Sequence, residues 1–297
     1  MPNSTTLAIA HRVCPALSKT AIGFSTKEEM VKATTASLST AVSKFAGDVS
    51  LTVILDGCPN YRPFFTEAFS GFANVRLAIE ETPSIGNQAT YARQCEILLA
   101  DGKADLVYFS EDDYLYKPPA FVAMADLLNR GNADFVTPLD HPDRYNHALT
   151  APSPSKIRVT SFGHWRTVGT TCLTFMTSRQ ILHERADMIA SFGTGAMDGT
   201  MWLGLTKEDV RSIRKVIPPI FAFLLRRKRP FGYYMPLCAW KHHGLRLLTT
   251  RTYTLWQPMP TLAVHLSATS LPLGSEALFP GEERETIRGL AQKYLEI

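Results

Sequence analysis

The 297-residue chain has little of what builds a cross-linked or membrane-spanning protein. It has five cysteines (Cys14, Cys58, Cys95, Cys172 and Cys238), an odd number with wide spacing and no C-x-x-C pair. That usage excludes a disulfide framework, suits a reducing compartment and argues against a zinc–thiolate site. Long apolar runs are missing as well. The longest in the C-terminal half, residues 216–225, is interrupted by Pro218 and Pro219, whereas a bilayer span takes about 20 apolar residues. The start of the chain has no basic residues before its short apolar run Leu7–Ala10, so no secretory leader is expected there and a cytoplasmic location is. The third scarcity is local. Residues 210–275 contain no Asp or Glu but ten Lys or Arg, so this segment carries +10 in a chain of net charge +4 and the remainder carries −6. Such a division implies a surface that meets phosphates or anionic lipid.

What the chain does have is a core. Apolar residues make up 45% of it and charged residues 20%, a globular composition that excludes disorder as the main state. The first half alternates strand and helix signals. Thr6 to Val13 reads as a strand. Thr26 and Glu29 form a capping-box pattern, and Met30, Ala33, Leu38, Ala41, Val42 and Phe45 follow at helical spacing up to Gly47. Ser50–Leu55 is a second strand, residues 63–72 a short helix and Val75–Ile79 a third strand. Asn87 is placed to cap a helix ending near Ala100, before the fourth strand, Asp105–Ser110. This alternation predicts an α/β fold with a mostly parallel central sheet flanked by helices. Ligands in such folds bind beyond the carboxyl ends of the strands, which directs attention to His11 and Arg12, Asp56, Glu80 and Glu81, and Glu111–Asp113.

Glu111-Asp112-Asp113 directly follows an apolar strand. Three adjacent carboxylates either form a solvated acidic loop or converge on a hard cation such as Mg²⁺ or Mn²⁺. Upstream, Ser84-Ile85-Gly86-Asn87 opens a helix carrying Arg93 and Gln94. Its free amides could meet an anion, and Arg93 could grip a phosphate or ribose bidentately.

Residues 84–119, SIGNQATYARQCEILLADGKADLVYFSEDDYLYKPP, resemble the central block of family-2-like glycosyltransferases with the GT-A fold. That family shows a glycine-containing helix start, an Arg-Asn-like pair, an apolar strand, a D-x-D-type acidic motif and then a proline. Two departures are visible: Gln94 stands where Asn is usual, and the acidic motif begins with Glu. The resemblance implies a metal-dependent, inverting enzyme that moves a sugar from a nucleotide-sugar donor (UDP- or GDP-sugar class) to a glycan or lipid-linked acceptor. It implies a donor-binding half at residues 1–118 and an acceptor and catalytic-base half at 119–297 of the same domain. Arg12, Asp56, Asn87, Arg93, Glu111 and Asp112 then belong to the donor site. Asp113 looks like the direct ligand of Mn²⁺ or Mg²⁺, with Glu111 a further candidate. The stretch Pro258-Met259-Pro260-Thr261-Leu262-Ala263-Val264-His265 resembles a late family patch whose His completes the metal shell, which makes His265 the third ligand candidate beside its competitors His242 and His243.

In the second half, residues 133–138 and 167–176 read as strands. Asp140-His141-Pro142-Asp143 is either a metal cluster or a polar loop at a cleft rim. His164, Trp165 and Arg166 suit an acceptor surface if the Trp is exposed, and a core Trp with an extended Arg if it is not. Asp198, set between glycines at the start of an apolar helix, is the base candidate. A sugar hydroxyl is a poor nucleophile until a carboxylate within about 3 Å takes its proton. Asp is also a common helix cap. Residues 211–251 mix aromatics with Arg226-Arg227-Lys228-Arg229. They fit a peripheral contact with the inner membrane face better than nucleic acid, for which no recognised motif is present.

Two other readings stay open. A sugar-nucleotide-forming nucleotidyltransferase would want a Gly-rich basic loop after the first strand, and His11-Arg12-Val13-Cys14-Pro15 has none. A non-enzymatic binder of anionic membrane or nucleic acid through residues 211–251 leaves Glu111–Asp113 and Asp198 unexplained.

Overall fold

The computed structural model describes residues 5–16, 23–146, 154–225, 231–266, 271–272 and 274–279. Eleven strands form among them: β1 (Leu7–Val13), β2 (Val49–Asp56), β3 (Val75–Thr82), β4 (Leu106–Glu111), β5 (Tyr114–Tyr116), β6 (Phe135–Val136), β7 (Ile157–Thr160), β8 (Gly163–Val168), β9 (Phe175–Ser178), β10 (Leu255–Met259) and β11 (Ala263–His265). Nine join one sheet in the order β3-β2-β1-β4-β9-β6-β10-β8-β7, and β11 pairs with β5 in a small second sheet. β3, β2, β1 and β4 are parallel neighbours. β9 runs antiparallel to both β4 and β6, β10 runs parallel to β6, and β8 runs antiparallel to β10 and β7. Only β8 and β9 therefore oppose the common direction, and the sheet is mostly parallel as the alternation predicts. Parallel neighbours need crossovers, and helices supply them.

The helices are α1 (Lys27–Val42), α2 (Arg62–Phe69), α3 (Asn87–Ala100), α4 (Ala120–Asn129), α5 (Asp143–Asn146), α6 (Arg179–Glu184), α7 (Ala186–Ile189), α8 (Asp198–Thr206), α9 (Ile213–Leu224), α10 (Met235–His243) and α11 (Arg246–Thr249). The capping box before α1 forms as read: the Glu29 amide donates to Thr26 Oγ1 at 3.2 Å and the Glu29 carboxylate accepts from the Thr26 amide at 3.2 Å. Such a cap is worth about 1 kcal/mol.

Side-chain alternation sorts the strands between two cores. Leu7, Ile9 and Val13 of β1 and Leu106 and Tyr108 of β4 pack with α1, α2 and α4. Ala8 and Ala10 of β1 and Val107 and Phe109 of β4 pack with α3 and α6–α8. The sheet is thereby buried on both faces, and its charged strand ends meet along one edge.

Three expectations need correcting. Residues 167–176 are not one strand: β8 ends at Val168 and β9 begins at Phe175. Gly169 lies in the connection, packed so tightly against the Glu208 side chain that it leaves no room for a Cβ. Asn87 does not cap α3. Gly86 holds the cap position at φ +88°, which glycine tolerates best, and Asn87 is the first helical residue. Trp165 is a core residue, 1% exposed, with its indole N–H donating to Thr160 Oγ1 at 3.1 Å. On β8 it alternates with the exposed His164 and the half-buried Arg166.

Candidate active site

The carboxyl ends of β1 and β4 lie side by side, with Arg12 in register with Glu111. A buried amide fastens this edge. Gln94, on α3, donates from its side-chain nitrogen to the carbonyls of Ala10 at 2.7 Å and Ser110 at 2.8 Å, one on each strand. The Gln94 side chain thereby bridges both strands.

The three adjacent carboxylates do not converge. Glu111 takes the Arg12 guanidinium at 2.5 Å and the Thr174 hydroxyl at 3.0 Å. Asp112 takes the Lys27 ammonium at 2.7 Å and the Cys14 amide at 2.8 Å. Asp113 accepts from His265 Nε2 at 3.0 Å. Each acid thus has a cation of its own, which relieves the repulsion expected of neighbouring charges. Burial pushes Asp112 up to about 6, against the opposing pull of Lys27. Burial raises Asp113 too, but the His265 charge and hydrogen bond, helped by Lys27 and Arg12, hold it below the usual carboxylate range. Burial lowers His265, and Asp113 overcomes this to hold the imidazole well above its ordinary value.

The small sheet makes the Asp113–His265 contact. β5 leaves the acidic triplet directly, and β11 pairs with it so that His265 faces Tyr114. Their rings stack at 5.1 Å, and the Leu266 amide donates to the Asp113 carbonyl at 2.8 Å. Residues 152 positions apart are fixed together by backbone pairing.

A cavity of about 240 Å³ opens beside this edge, walled by Arg12, Asn87, Glu111, Cys172, Leu173, Phe192, Met197, Asp198 and His265. A second, of about 170 Å³, is lined by His141, Arg144, Thr170, Thr171, Cys172, Asp198, Gly199 and Met235. Asp198 and Cys172 belong to both. Asp198 is the first residue of α8 and is half-buried; its carboxylate accepts from the Gly199 amide at 2.6 Å, while Met197 holds the cap position.

Other expected site residues stand elsewhere or are already engaged. Arg93 does not reach either cavity: it chelates Glu80 at 2.7 and 2.9 Å and Glu96 at 2.7 Å beside a separate groove over β1–β3. Asp56, buried at the end of β2, accepts from Thr82 Oγ1 at 2.7 Å and from the amides of Ile85 and Gly86 at 2.6 and 2.9 Å. Its carboxylate shapes the turn into α3. Asn87 offers its carbonyl to Arg12 at 2.8 Å and its side-chain oxygen to the same guanidinium. Arg166 stacks on Tyr145 at 4.0 Å and lies 3.6 Å from Asp140, so His164, Trp165 and Arg166 line neither cavity. Asp140 also accepts from Gln257 at 2.5 Å, and burial pushes it up to about 6. His243 is buried and donates toward the Thr200 carbonyl of α8 at 3.2 Å; it lines neither cavity. His11 is buried against Phe65 and hydrogen-bonded to Ser110 at 2.8 Å. Burial, with Lys27, lowers it to about 3, so it stays neutral. Arg226–Arg229 lie outside the described residues.

Sequence reasoning missed Lys27, Thr174 and Cys172. Lys27 had a signal: a cation in the first turn of a helix opposes the helix dipole, which asks for a nearby anion.

Among the described residues no three His, Cys, Asp or Glu side chains gather as a metal-holding group. The carboxylates of Glu111 and Asp112 are engaged by Arg12 and Thr174 and by Lys27 and Cys14. Asp113 keeps a buried oxygen, Oδ1, without a hydrogen-bond partner. Asp113 and His265 are the side chains at this edge that could hold a divalent ion, a carboxylate oxygen and an imidazole nitrogen.

No protein-family profile matches the chain, and no curated protein matches it. Among solved structures it is similar to the crystal structure of 4-diphosphocytidyl-2C-methyl-D-erythritolsynthase from Anaerococcus prevotii, at 9% identity and a TM-score of 0.35, over 67% of this chain and 82% of that one. A likeness this slight assigns neither activity nor substrate. No helix among the described residues is long and apolar enough to cross a membrane. The chain has an α/β fold whose central sheet, mostly parallel and flanked by helices, places a cavity lined by charged and apolar side chains at the carboxyl ends of its strands.

Proposed function

We propose that the protein is a glycosyltransferase using a nucleotide-sugar donor. The observation that carries this reading is that Arg12, His265 and Asp198, from three distant parts of the sequence, wall one cavity at the strand ends. In this account the donor's diphosphate lies in the 240 Å³ cavity, where the Arg12 guanidinium and the Asp113–His265 pair would face it. Glu111 and Asn87 hold the Arg12 guanidinium in one orientation, so its charge is set before the donor arrives. Asp113 and His265 would hold Mn²⁺ or Mg²⁺, which neutralises charge on the departing diphosphate.

Asp198 borders both cavities, so a carboxylate there can face a donor in one and an acceptor hydroxyl in the other. It takes the hydroxyl proton as the oxygen bonds to the anomeric carbon from the side opposite the diphosphate, inverting the configuration. The acceptor then sits among His141, Arg144, Thr170 and Thr171, in place of the surface expected around Trp165. A glycan or lipid-linked hydroxyl meets this description.

A sugar-nucleotide-forming nucleotidyltransferase is the second reading, favoured by one observation: Arg12 on β1 and Lys27 at the start of α1 both reach the acidic triplet. Such an enzyme would release pyrophosphate from a nucleoside triphosphate and a sugar phosphate. A thermal-shift screen of nucleoside diphosphates, sugar nucleotides and triphosphates with and without Mn²⁺ separates the readings. Ligand stabilisation follows mass action, about 2.7 kcal/mol at a hundredfold excess over Kd. Stabilisation by a sugar nucleotide followed by sugar transfer supports the proposal. Pyrophosphate release from a triphosphate and a sugar phosphate replaces it with the second reading.

A further inference from the structure

The surface of α9 is built the wrong way round for a helix facing water. Pro219 and Ala222 turn inward and are buried, and α10 packs against this helix. Ile217, Ile220, Phe221 and Leu224 repeat at i, i+3, i+4 and i+7, the spacing of a single apolar stripe, and they are 39–67% exposed. Phe223 and Leu225 flank the stripe at 70% and 62% exposure. Beyond α10, Leu245 and Leu248 are also exposed. Arg211, just before α9, donates to the Leu247 carbonyl at 2.5 Å. An exposed apolar stripe such as that of α9 marks an interaction site.

Charge identifies the occupant. The stripe lies in the segment 210–275, which has ten basic and no acidic residues, and Arg226-Arg227-Lys228-Arg229 follow Leu225 directly in sequence. Lys241 on α10 adds an exposed cation. A second copy docked through the same segment would set two chain segments of one sign against each other, and like charges repel. An acidic lipid surface offers hydrocarbon for the stripe and negative headgroups for the cations. We propose that the outward face of α9 docks on an anionic lipid bilayer, lying in its interface without crossing it. The inference stands on this surface alone and does not depend on the reading of the cavity. α9 packs on α10 and α10 on α8, so docking would also set Asp198, at the start of α8, at a fixed place relative to the membrane.

The test is co-sedimentation of the full chain with vesicles of phosphatidylcholine alone and of phosphatidylcholine mixed with phosphatidylglycerol. The expected result is binding to the mixed vesicles only, weakened by salt. The double substitution Phe223→Ser, Leu224→Ser should cut partitioning roughly tenfold or more while the melting temperature stays unchanged, because both side chains are already exposed. Replacing residues 226–229 with Gln should weaken partitioning by a similar factor. The proposal is overturned if the chain stays in solution with anionic vesicles, or if the double variant binds as well as the parent. It is equally overturned if light scattering shows a dimer that the double variant abolishes, or if a single-stranded oligonucleotide is bound and vesicles are not. Nucleotide stabilisation in the thermal-shift screen is a separate readout, so either proposal can fail without the other.

Discussion

The edge around Glu111–Asp113 and the segment from α9 to α11 treat charge in opposite ways. At the edge three buried or half-buried acids each hold a cation drawn from far away in sequence: Arg12, Lys27 and His265. Around α9 the basic residues outnumber their acids, and apolar side chains face outward. Arg246 and Arg251 pair with Asp187 and Asp134, acids outside residues 210–275. A buried charge must be paired or it costs several kcal/mol, so the edge is internally neutralised and rigid. An exposed one-signed surface has no such requirement. On the two proposals above, the first region would position small ligands and the second would meet a lipid surface.

Substitutions should expose this contrast. The largest effect is expected at Asp198→Asn, which should lower turnover by about 10² to 10⁴, or about 3–5 kcal/mol at 1.36 kcal/mol per decade. Steady-state kinetics should show this with nucleotide affinity retained; full activity would remove Asp198 from the role. Arg12→Met leaves Glu111 buried without its cation and should cost about 3 kcal/mol of stability, read by urea unfolding. An unchanged midpoint would show that the edge does not depend on its pairing.

The Asp113–His265 pair should leave a pH signature. His265 is raised, so its stabilisation is fully present below the ordinary imidazole value of about 6.5 and fades as pH rises through its own higher value. Asp113 is lowered, so its share fades as pH falls through its own reduced value. Unfolding followed across pH in the parent and in His265→Gln should differ most on the acid side of that upper limit, and parallel curves would refute the pairing. Metal uptake requires neutral His265, so Mn²⁺ affinity should rise with pH. The smallest effect belongs to the other region: Phe223→Ser and Leu224→Ser should change stability by less than about 0.5 kcal/mol, since the side chains are already in water.

The same contrast explains what could be read from the sequence. The parallel half was legible because its signals are local: the Thr26–Glu29 cap, the strand runs and the glycine before α3 each predict their own element. The acidic triplet and its place after β4 were legible for the same reason. Its pairing was not, since Lys27, Arg12 and His265 are delivered by tertiary packing. Trp165 misled because one residue beside an Arg does not say which face of a strand it occupies; the two-residue period on β8 decides that. The connection at Gly169 was hidden by flanking β-rich residues. The outward turn of the α9 stripe was unreadable too, since an amphipathic pattern shows that one face is apolar without showing whether that face is covered.

On the proposed function, the cavity between Arg12, His265 and Asp198 binds a nucleoside diphosphate group, with Asp113 held against His265 at its edge. Calorimetric titration of UDP and GDP in the presence of Mn²⁺, on the parent chain and on Asp113→Asn, tests it most directly. Saturable binding by the parent to one of the two, lost in the variant while its fold persists, is the predicted result. No binding by the parent, or equal affinity in both proteins, would contradict it.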